Sequence, residues 1–329
     1  MVGAVIVHNG RIIGEGWHRK AGEPHAEPNA VRSVTECELL CESTMYVSLE
    51  PCSHYGKTPP CVDLIIQWGI PRVVIGTLDP FPLVAGRGVR RLKEAGLEVV
   101  VGMEEEACRR LNASYFHFLL QGRPRIILKW AQTADGFIDI NREVGDGRTS
   151  LKISTPFTQL LTHKLRAECD AILVGTNTAL LDNPKLNVRS WSGRNPIRLV
   201  IDRNGVLDES YHLLDGSIET VVFSGVRSGR VGNTVWIRLD FTKDVLNQLL
   251  EELVRMKIQS LLVEGGAQLH DSFLKADLWD EIQVETSQQR IGSGVPAPNP
   301  EQWRTRGKAI QAFDGGATFR LVRIYENAR

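Results

Sequence analysis

Two hydrophobic periods alternate along the chain. Val2–Val7 is an apolar run that ends in the turn chemistry of His8-Asn9-Gly10-Arg11, and Ile12–Gly16 returns. This spacing predicts a β-hairpin. A helical period follows over Ala26–Glu38, with Pro28 in the first turn, where a missing N–H is tolerated. Next come a strand over Thr44–Leu49 and a helix over Cys61–Gly69, entered through Pro59-Pro60. Arg72–Gly76 reads as a strand, Gly88–Ala95 as a helix ended by Gly96, and Leu97–Val101 as a further strand. Such alternation predicts a layered α/β unit. Glu104–Leu120 reads as a helix leading out of it.

Gln121-Gly122-Arg123-Pro124 interrupts the pattern and is the best boundary, so domains over residues 1–122 and 123–329 are expected. Beyond it a strand is predicted over Arg125–Trp130. Further strands are expected over Ala171–Gly175, Ile197–Ile201, Thr220–Ser224, Ser260–Val263 and Asp280–Glu285. Helices are expected over Pro156–Arg166, Lys243–Lys257 and Ala267–Lys275. The stretch Gly292–Pro300 reads as a surface loop.

A chain of 329 residues has room for two such domains. Lys plus Arg and Asp plus Glu number 39 each, so net charge points to no nucleic-acid or membrane-surface partner. No run approaches the roughly 18 apolar residues of a membrane span. The opening Met-Val-Gly-Ala-Val-Ile-Val has no basic segment before it and reads as a strand, so a cytoplasmic location is expected. Of the six cysteines, Cys37, Cys41, Cys52 and Cys61 fall in the first 61 residues. In a large chain without a secretion signal, metal binding is a better reading than a disulfide framework. Cys37 and Cys41 fit one face of a helix, as core or surface residues.

The sharpest chemical signal is His25-Ala26-Glu27 followed by Pro51-Cys52 and, after eight residues, Cys61. One imidazole and two thiolates would hold zinc with its fourth position left to water. Zinc would lower that water's pKa toward neutrality. Glu27, two residues from His25, would carry its proton to a ring nitrogen and then to departing ammonia. His-x-Glu with Pro-Cys and a second Cys is the pattern of nucleobase zinc deaminases, with C-x8-C in place of C-x-x-C. The competing reading is a closed structural zinc site with His54 as fourth ligand, which leaves Glu27 idle.

The block from Pro51-Cys52-Ser53-His54-Tyr55 through Gly56-Lys57-Thr58-Pro59-Pro60-Cys61 is far more specific than that. Together with His25-Ala26-Glu27, Val2-Gly3-Ala4-Val5-Ile6-Val7 and Val84-Ala85-Gly86-Arg87-Gly88, it resembles the deaminase domain of the RibD family. These are bifunctional riboflavin-biosynthesis deaminase/reductases. The resemblance implies a cytidine-deaminase-like three-layer domain followed by a dihydrofolate-reductase-like domain. It implies His25, Cys52 and Cys61 as zinc ligands, Glu27 as proton shuttle, and His54 and Lys57 as contacts to the substrate's base or phosphate. The substrate would be a phosphorylated diamino-hydroxy-pyrimidine, deaminated to the uracil form.

Two departures from the family pattern stand out. Relatives carry a helix ending in Asn-Pro before the first strand, and this chain begins after it, which is expected to expose apolar surface. Phe81, in Asp79-Pro80-Phe81-Pro82, stands where the family has Asn.

From about Pro124 onward the chain resembles the family's reductase. The matching segments are Leu128-Lys129-Trp130-Ala131 with Asp135-Gly136, Leu165-Arg166-Ala167, Ala171-Ile172-Leu173-Val174-Gly175, Asp182-Asn183-Pro184-Lys185-Leu186 and Val263-Glu264-Gly265-Gly266. The resemblance implies hydride transfer from NADPH to C1 of an opened ribosyl imine, with the protein orienting the reactants. Substrate contacts are then expected at Ser150, Arg166, Leu186, Arg189 and Glu264, the two arginines clamping phosphate. Cofactor contacts are expected at Ala131, Lys152, Thr178, Asp182, Arg203 and Gly266-Ala267-Gln268-Leu269, where a strand turns into a helix. Lys152 replaces a Trp common in relatives. Arg203 would meet a 2′-phosphate, or is an exposed turn arginine. Lys129 and Asp135 are candidate active-site polar groups, Asp135-Gly136 being otherwise an ordinary turn. The long polar segment Asp139–Thr149 is expected to form a mobile flap over the nicotinamide. A homo-oligomer is expected.

Two other readings compete. One is a monofunctional reductase with an inactive deaminase domain. The other is a nucleic-acid-binding protein on a deaminase fold, which the balanced charge disfavours.

Overall fold

The computed structural model describes the chain apart from residues 21, 56–58, 82–84, 300–309, 314–315 and 323–329, and gives only the backbone of 310–313 and 316–322. Lys57 and Val84 lie outside the described residues. Two compact units result, Met1–Gln121 and Gly122–Arg329.

The first unit opens with strands β1 (Gly3–His8) and β2 (Arg11–Trp17), joined at Asn9 and Gly10, both with positive φ. Those are the torsions that match a tight hairpin to the strand twist. Helix α1 (Ala26–Arg32), β3 (Thr44–Leu49), α2 (Cys61–Gln67), β4 (Arg72–Thr77), α3 (Arg87–Glu94), β5 (Glu98–Val101), α4 (Glu105–Leu111) and α5 (Ala113–Gln121) follow. The sheet order is β2-β1-β3-β4-β5, with β3, β4 and β5 parallel. Ile6, Met45, Val47, Val73 and Ile75 point to one face, where Ala26, Ala30, Val62, Ile65 and Leu92 of α1, α2 and α3 close the core. Out of phase with them, Gly76 meets Cys108 of α4 on the other face, so helices cover the sheet from both sides. That second face carries an open groove of about 380 Å³ lined by Val5, Trp17, Tyr46, Val74 and Met103.

Two predicted helices are broken. The Ala26–Glu38 period yields α1 only to Arg32, and Cys37–Glu42 form a separate 3-10 turn. Ser33 is the reason: its hydroxyl donates to the Ala30 carbonyl (2.7 Å) and accepts the Glu15 amide (2.8 Å), competing with the next helical turn. Cys37 and Cys41 therefore sit exposed on that short turn. The Glu104–Leu120 period breaks at Asn112, whose amide donates to the Cys108 carbonyl.

The second unit contains β6 (Arg125–Gln132), β7 (Phe137–Asp139), α6 (Pro156–Glu168), β8 (Ala171–Gly175), α7 (Thr176–Asp182), β9 (Ile197–Asp202) and β10 (Thr220–Ser224). It continues with β11 (Gly229–Val231), β12 (Thr234–Arg238), α8 (Val245–Arg255), β13 (Ser260–Val263), α9 (Ala267–Lys275), β14 (Glu281–Thr286), β15 (Val295–Pro296), β16 (Ile310–Phe313) and β17 (Gly316–Val322). The main sheet runs β11-β12-β10-β9-β8-β13-β6-β14-β17-β16. Its strands from β12 to β14 are mutually parallel.

Parallel strands covered on both faces read as continuous apolar runs, which is why they were legible. Ile126, Leu128 and Trp130 pack with Leu249 and Leu253 of α8 and Phe273 of α9. Ile127, Ile172, Val174 and Leu262 form the opposite core with Ala179 and Leu186. Thr155 and Asp244 cap α6 and α8 by accepting the amides of Thr158 and Asn247. Helix α7 and strands β7, β11, β12, β15, β16 and β17 fall outside the predicted elements, and β15 lies within Gly292–Pro300, which the sequence reads as a loop, where it pairs with β7. No helix among the described residues is long and apolar enough to cross a membrane.

Candidate active sites

In the first unit three chain segments converge. Strand β3 runs into Glu50-Pro51-Cys52, α2 starts at Cys61, and α1 starts just after His25, its N-cap. Helix α1 lies close on β2 because β2 offers glycines there: a Cβ on Gly16 would stand 2.3 Å from the Ala30 amide nitrogen. His25 Nδ1 comes 3.3 Å from Cys61 Sγ and 3.5 Å from Cys52 Sγ, and the three donors lie within 4.8 Å of one another. Tetrahedral zinc, with Zn–S of about 2.3 Å and Zn–N of about 2.0 Å, requires N···S separations of roughly 3.5 Å. The donor set and spacing thus fit zinc. His54 is not in this cluster; its ring lies 6.1 Å from that of Phe81.

Glu27 is 3% exposed, and burial pushes its carboxyl above the usual range. Cys52 is drawn down to about 4, chiefly by its hydrogen bond with Cys61, while Cys61, on the other side of that bond, is pushed up. One sulfur of the pair is thus ready to act as a thiolate ligand. His18, which sequence reasoning missed, sets its ring edge against His25 with centroids 5.2 Å apart. Also missed was Glu50, a buried carboxylate that accepts the amides of Gly86 (2.9 Å) and Gly88 (2.9 Å). Its neighbour Asp79 accepts the Phe81 amide and the Tyr115 hydroxyl.

In the second unit a cavity of about 940 Å³ opens beyond the C-terminal ends of β6, β8, β9 and β13. Ligands of open parallel sheets bind at such strand ends. The cavity brings together Ala131, Ser150, Lys152, Arg166, Thr178, Asp182, Arg189, Glu264, Gly266, Ala267, Gln268 and Leu269, with Lys129. It does not include Leu186 or Arg203. Leu186 is a core side chain, 3% exposed, on a backbone with φ +46°. Arg203 is exposed and stacks over the Phe241 ring, 5.6 Å from its centroid. Asp135 lies outside the cavity lining too, and accepts the Thr133 hydroxyl and the amides of Ile291 and Gly292.

Arg166 does not present a free fork. Its Nε and Nη2 donate to Glu264 at 2.9 and 2.6 Å, and Nη1 reaches the Asn187 carbonyl at 3.3 Å. Burial works to raise the Glu264 carboxyl, but the Arg166 charge, with Lys129 and His163, outweighs it and holds the carboxyl below its usual range. Arg189 is the more open of the two arginines; its amide donates to His163 Nδ1.

The turn after β13 approaches β8 closely, since a Cβ on Gly265 would stand 2.6 Å from Val174 Cα. His270 lies behind it with its two ring nitrogens 3.0 and 3.1 Å from the carbonyls of Gly266 and Val263. Within Asp139–Thr149, Arg142 is held by Asp139 and by Asp182 (2.5 Å each) and lines the cavity. Neither Arg142 nor His270 belongs to a motif read from the sequence: Arg142 joins the site through Asp182, 40 residues away, and His270 through its burial behind the turn after β13.

Two family models match the chain: the cytidine and deoxycytidylate deaminase zinc-binding region over residues 1–77 and the RibD C-terminal domain over 124–319. Riboflavin biosynthesis protein RibD of Aquifex aeolicus is 40% identical, covering 89% of this chain and 82% of its own length. The Escherichia coli protein of the same name is 36% identical over 89% of this chain and 82% of its own length. A solved diaminohydroxyphosphoribosylaminopyrimidine deaminase/5-amino-6-(5-phosphoribosylamino)uracil reductase from Thermotoga maritima is 34% identical, with a TM-score of 0.87, covering 98% of this chain and 92% of that one. The α/β class expected from the hydrophobic pattern holds for both halves, and the presence of both domains favours the bifunctional reading over a reductase alone. The chain therefore belongs to the RibD family, bifunctional enzymes of riboflavin biosynthesis that join a zinc deaminase to an NADPH-dependent reductase.

Proposed function

We propose that residues 1–122 deaminate 2,5-diamino-6-ribosylamino-4(3H)-pyrimidinone 5′-phosphate, and that residues 123–329 reduce the product's ribosyl group to ribityl. The single observation that carries the deaminase assignment is the meeting of His25, Cys52 and Cys61 within 4.8 Å, beside the buried Glu27. His25, Cys52 and Cys61 would hold zinc, which when bound supplies Lewis-acid activation of water. Glu27 would move one proton from the attacking water to the ring nitrogen and then a second, from the hydroxyl added to that carbon, to the amine that departs as ammonia. Burial raises the Glu27 carboxyl above the usual carboxylate range, the direction that favours a group that must donate as well as accept a proton.

NADPH supplies the hydride in the second half. Ala131, Lys152, Thr178, Asp182 and Gly266-Ala267-Gln268-Leu269 orient the cofactor, the small residues admitting phosphate to the start of α9. Ser150, Arg189 and the Arg166–Glu264 pair orient the substrate, with Arg189 nearest to a free phosphate ligand. Leu186 acts through the backbone it shapes beside Asn187, and Arg203 stays a peripheral cofactor contact from its place over Phe241. His54 contacts the deaminase substrate. A homo-oligomer in the cytoplasm completes this reading.

The test measures ammonia release from the diamino substrate and NADPH oxidation with the deaminated substrate on one purified preparation. Both activities together, with one zinc per chain, are the expected result. NADPH oxidation without ammonia release, zinc being bound, would leave only a reductase. Light scattering of the same sample reads the oligomeric state.

A further inference from the structure

The Gly86-Arg87-Gly88 motif supplies none of the metal donors, yet α3, which it opens, reaches both segments that carry the cysteines. Arg91, one turn into α3, donates from Nη1 to the Ser53 carbonyl at 3.1 Å. Its Nη2 donates to the Asp63 carboxylate. Ser53 directly follows Cys52, and Asp63 is two residues past Cys61. One planar guanidinium therefore spans the two sulfur-bearing segments.

The helix that presents Arg91 is itself anchored at the same place. Glu50 accepts the amides of Gly86, Gly88 and Val89 at 2.9, 2.9 and 3.2 Å, and a Cβ on Gly88 would stand 2.3 Å from the Pro51 carbonyl. A direct link joins the cysteine segments as well: the Val62 amide donates to the Cys52 carbonyl at 3.2 Å. Arg91 adds an outer brace to that inner one.

We propose that Arg91 is a positioning residue for the deaminase reaction, a clasp that fixes the separation of Cys52 and Cys61 by gripping Ser53 and Asp63 from α3. The inference rests on the assignment of His25, Cys52 and Cys61 as zinc ligands. Side chains that orient ligands from the next shell out typically change metal affinity or activity by about ten- to hundredfold when removed. The Arg91 and Asp63 side chains are 41% and 31% exposed, and pairs so open to water contribute little to global stability. The clasp therefore acts on zinc retention while stability stays nearly constant. Lysine, a single point charge, cannot bridge a carbonyl and a carboxylate as the fork does.

The experiment compares zinc release to a chromogenic chelator from wild type, Arg91→Ala, Arg91→Lys and Asp63→Asn, each as the full chain. Thermal unfolding and NADPH oxidation by the reductase half are followed in parallel. Release about ten- to hundredfold faster from Arg91→Ala is expected, with smaller increases for Arg91→Lys and Asp63→Asn and reductase turnover unchanged. Equal release rates in wild type and Arg91→Ala overturn the clasp alone. So does an Arg91→Ala protein that unfolds while Asp63→Asn keeps the wild-type release rate, since the role is then structural. Wild-type protein without zinc overturns the metal assignment and the clasp with it.

Discussion

Arg166 and Glu264 face each other as a two-pronged ion pair, Nε to Oε1 at 2.9 Å and Nη2 to Oε2 at 2.6 Å, with side chains only 12% and 10% exposed. The pair joins α6 to the end of β13 at the wall of the reductase cavity. Its geometry changes what Arg166 contributes: a charge already spoken for, holding Glu264 ionised and in place, where the sequence suggested a free phosphate clamp.

Removing one member should be costly, because the other is left as a buried unpaired charge. Arg166→Ala is expected to destabilise the reductase half by about 3–5 kcal/mol, read by denaturant unfolding. The double variant Arg166→Met with Glu264→Leu should lose much less than the two single changes summed.

The same pair predicts an acid-side dependence. Glu264 has a folded pKa below its unfolded value, so its contribution is present above roughly pH 4.3 and is lost as pH falls through the lower folded value. Thermal unfolding of wild type should accordingly fall faster below that pH than unfolding of Glu264→Gln. Parallel curves would remove Glu264 from the acid transition.

Glu27→Gln keeps the shape of the buried side chain but cannot carry a proton. Ammonia release should drop by about 10²- to 10⁴-fold, with zinc content and NADPH oxidation unchanged.

Stripping zinc with 1,10-phenanthroline should abolish ammonia release while the reductase still turns over the deaminated substrate. Adding zinc back should restore the lost activity. Failure to restore it in protein that remains folded would argue against a catalytic metal.

Gly16→Ala tests how α1 is placed. The added methyl would stand 2.3 Å from the Ala30 nitrogen, forcing α1, and with it His25 and Glu27, away from the sheet. A loss of about 1–3 kcal/mol in the first unit is expected, with weaker zinc binding by titration.

Strands Ala171–Gly175, Thr220–Ser224 and Ser260–Val263 coincide with the runs read from the chain, since strands buried on both faces need nearly unbroken apolar side chains, and Thr44–Leu49 coincides through its alternation, with Met45, Val47 and Leu49 buried. The zinc donors were legible too, because the order and spacing of His25, Glu27, Cys52 and Cys61 are themselves the signal. The helices over Ala26–Glu38 and Glu104–Leu120 were read too long, because Ser33 and Asn112 end them through hydrogen bonds that apolar period does not record.

By itself, the order of residues determined the two α/β halves, the donor set and the kind of chemistry. Only the tertiary structure decided that Arg166 spends its fork on Glu264, that Leu186 turns into the core and that Arg203 lies over Phe241. The reason is range. Strand period and ligand spacing act between near neighbours, whereas Arg166 and Glu264 are 98 residues apart and meet only when α6 packs beside the end of β13.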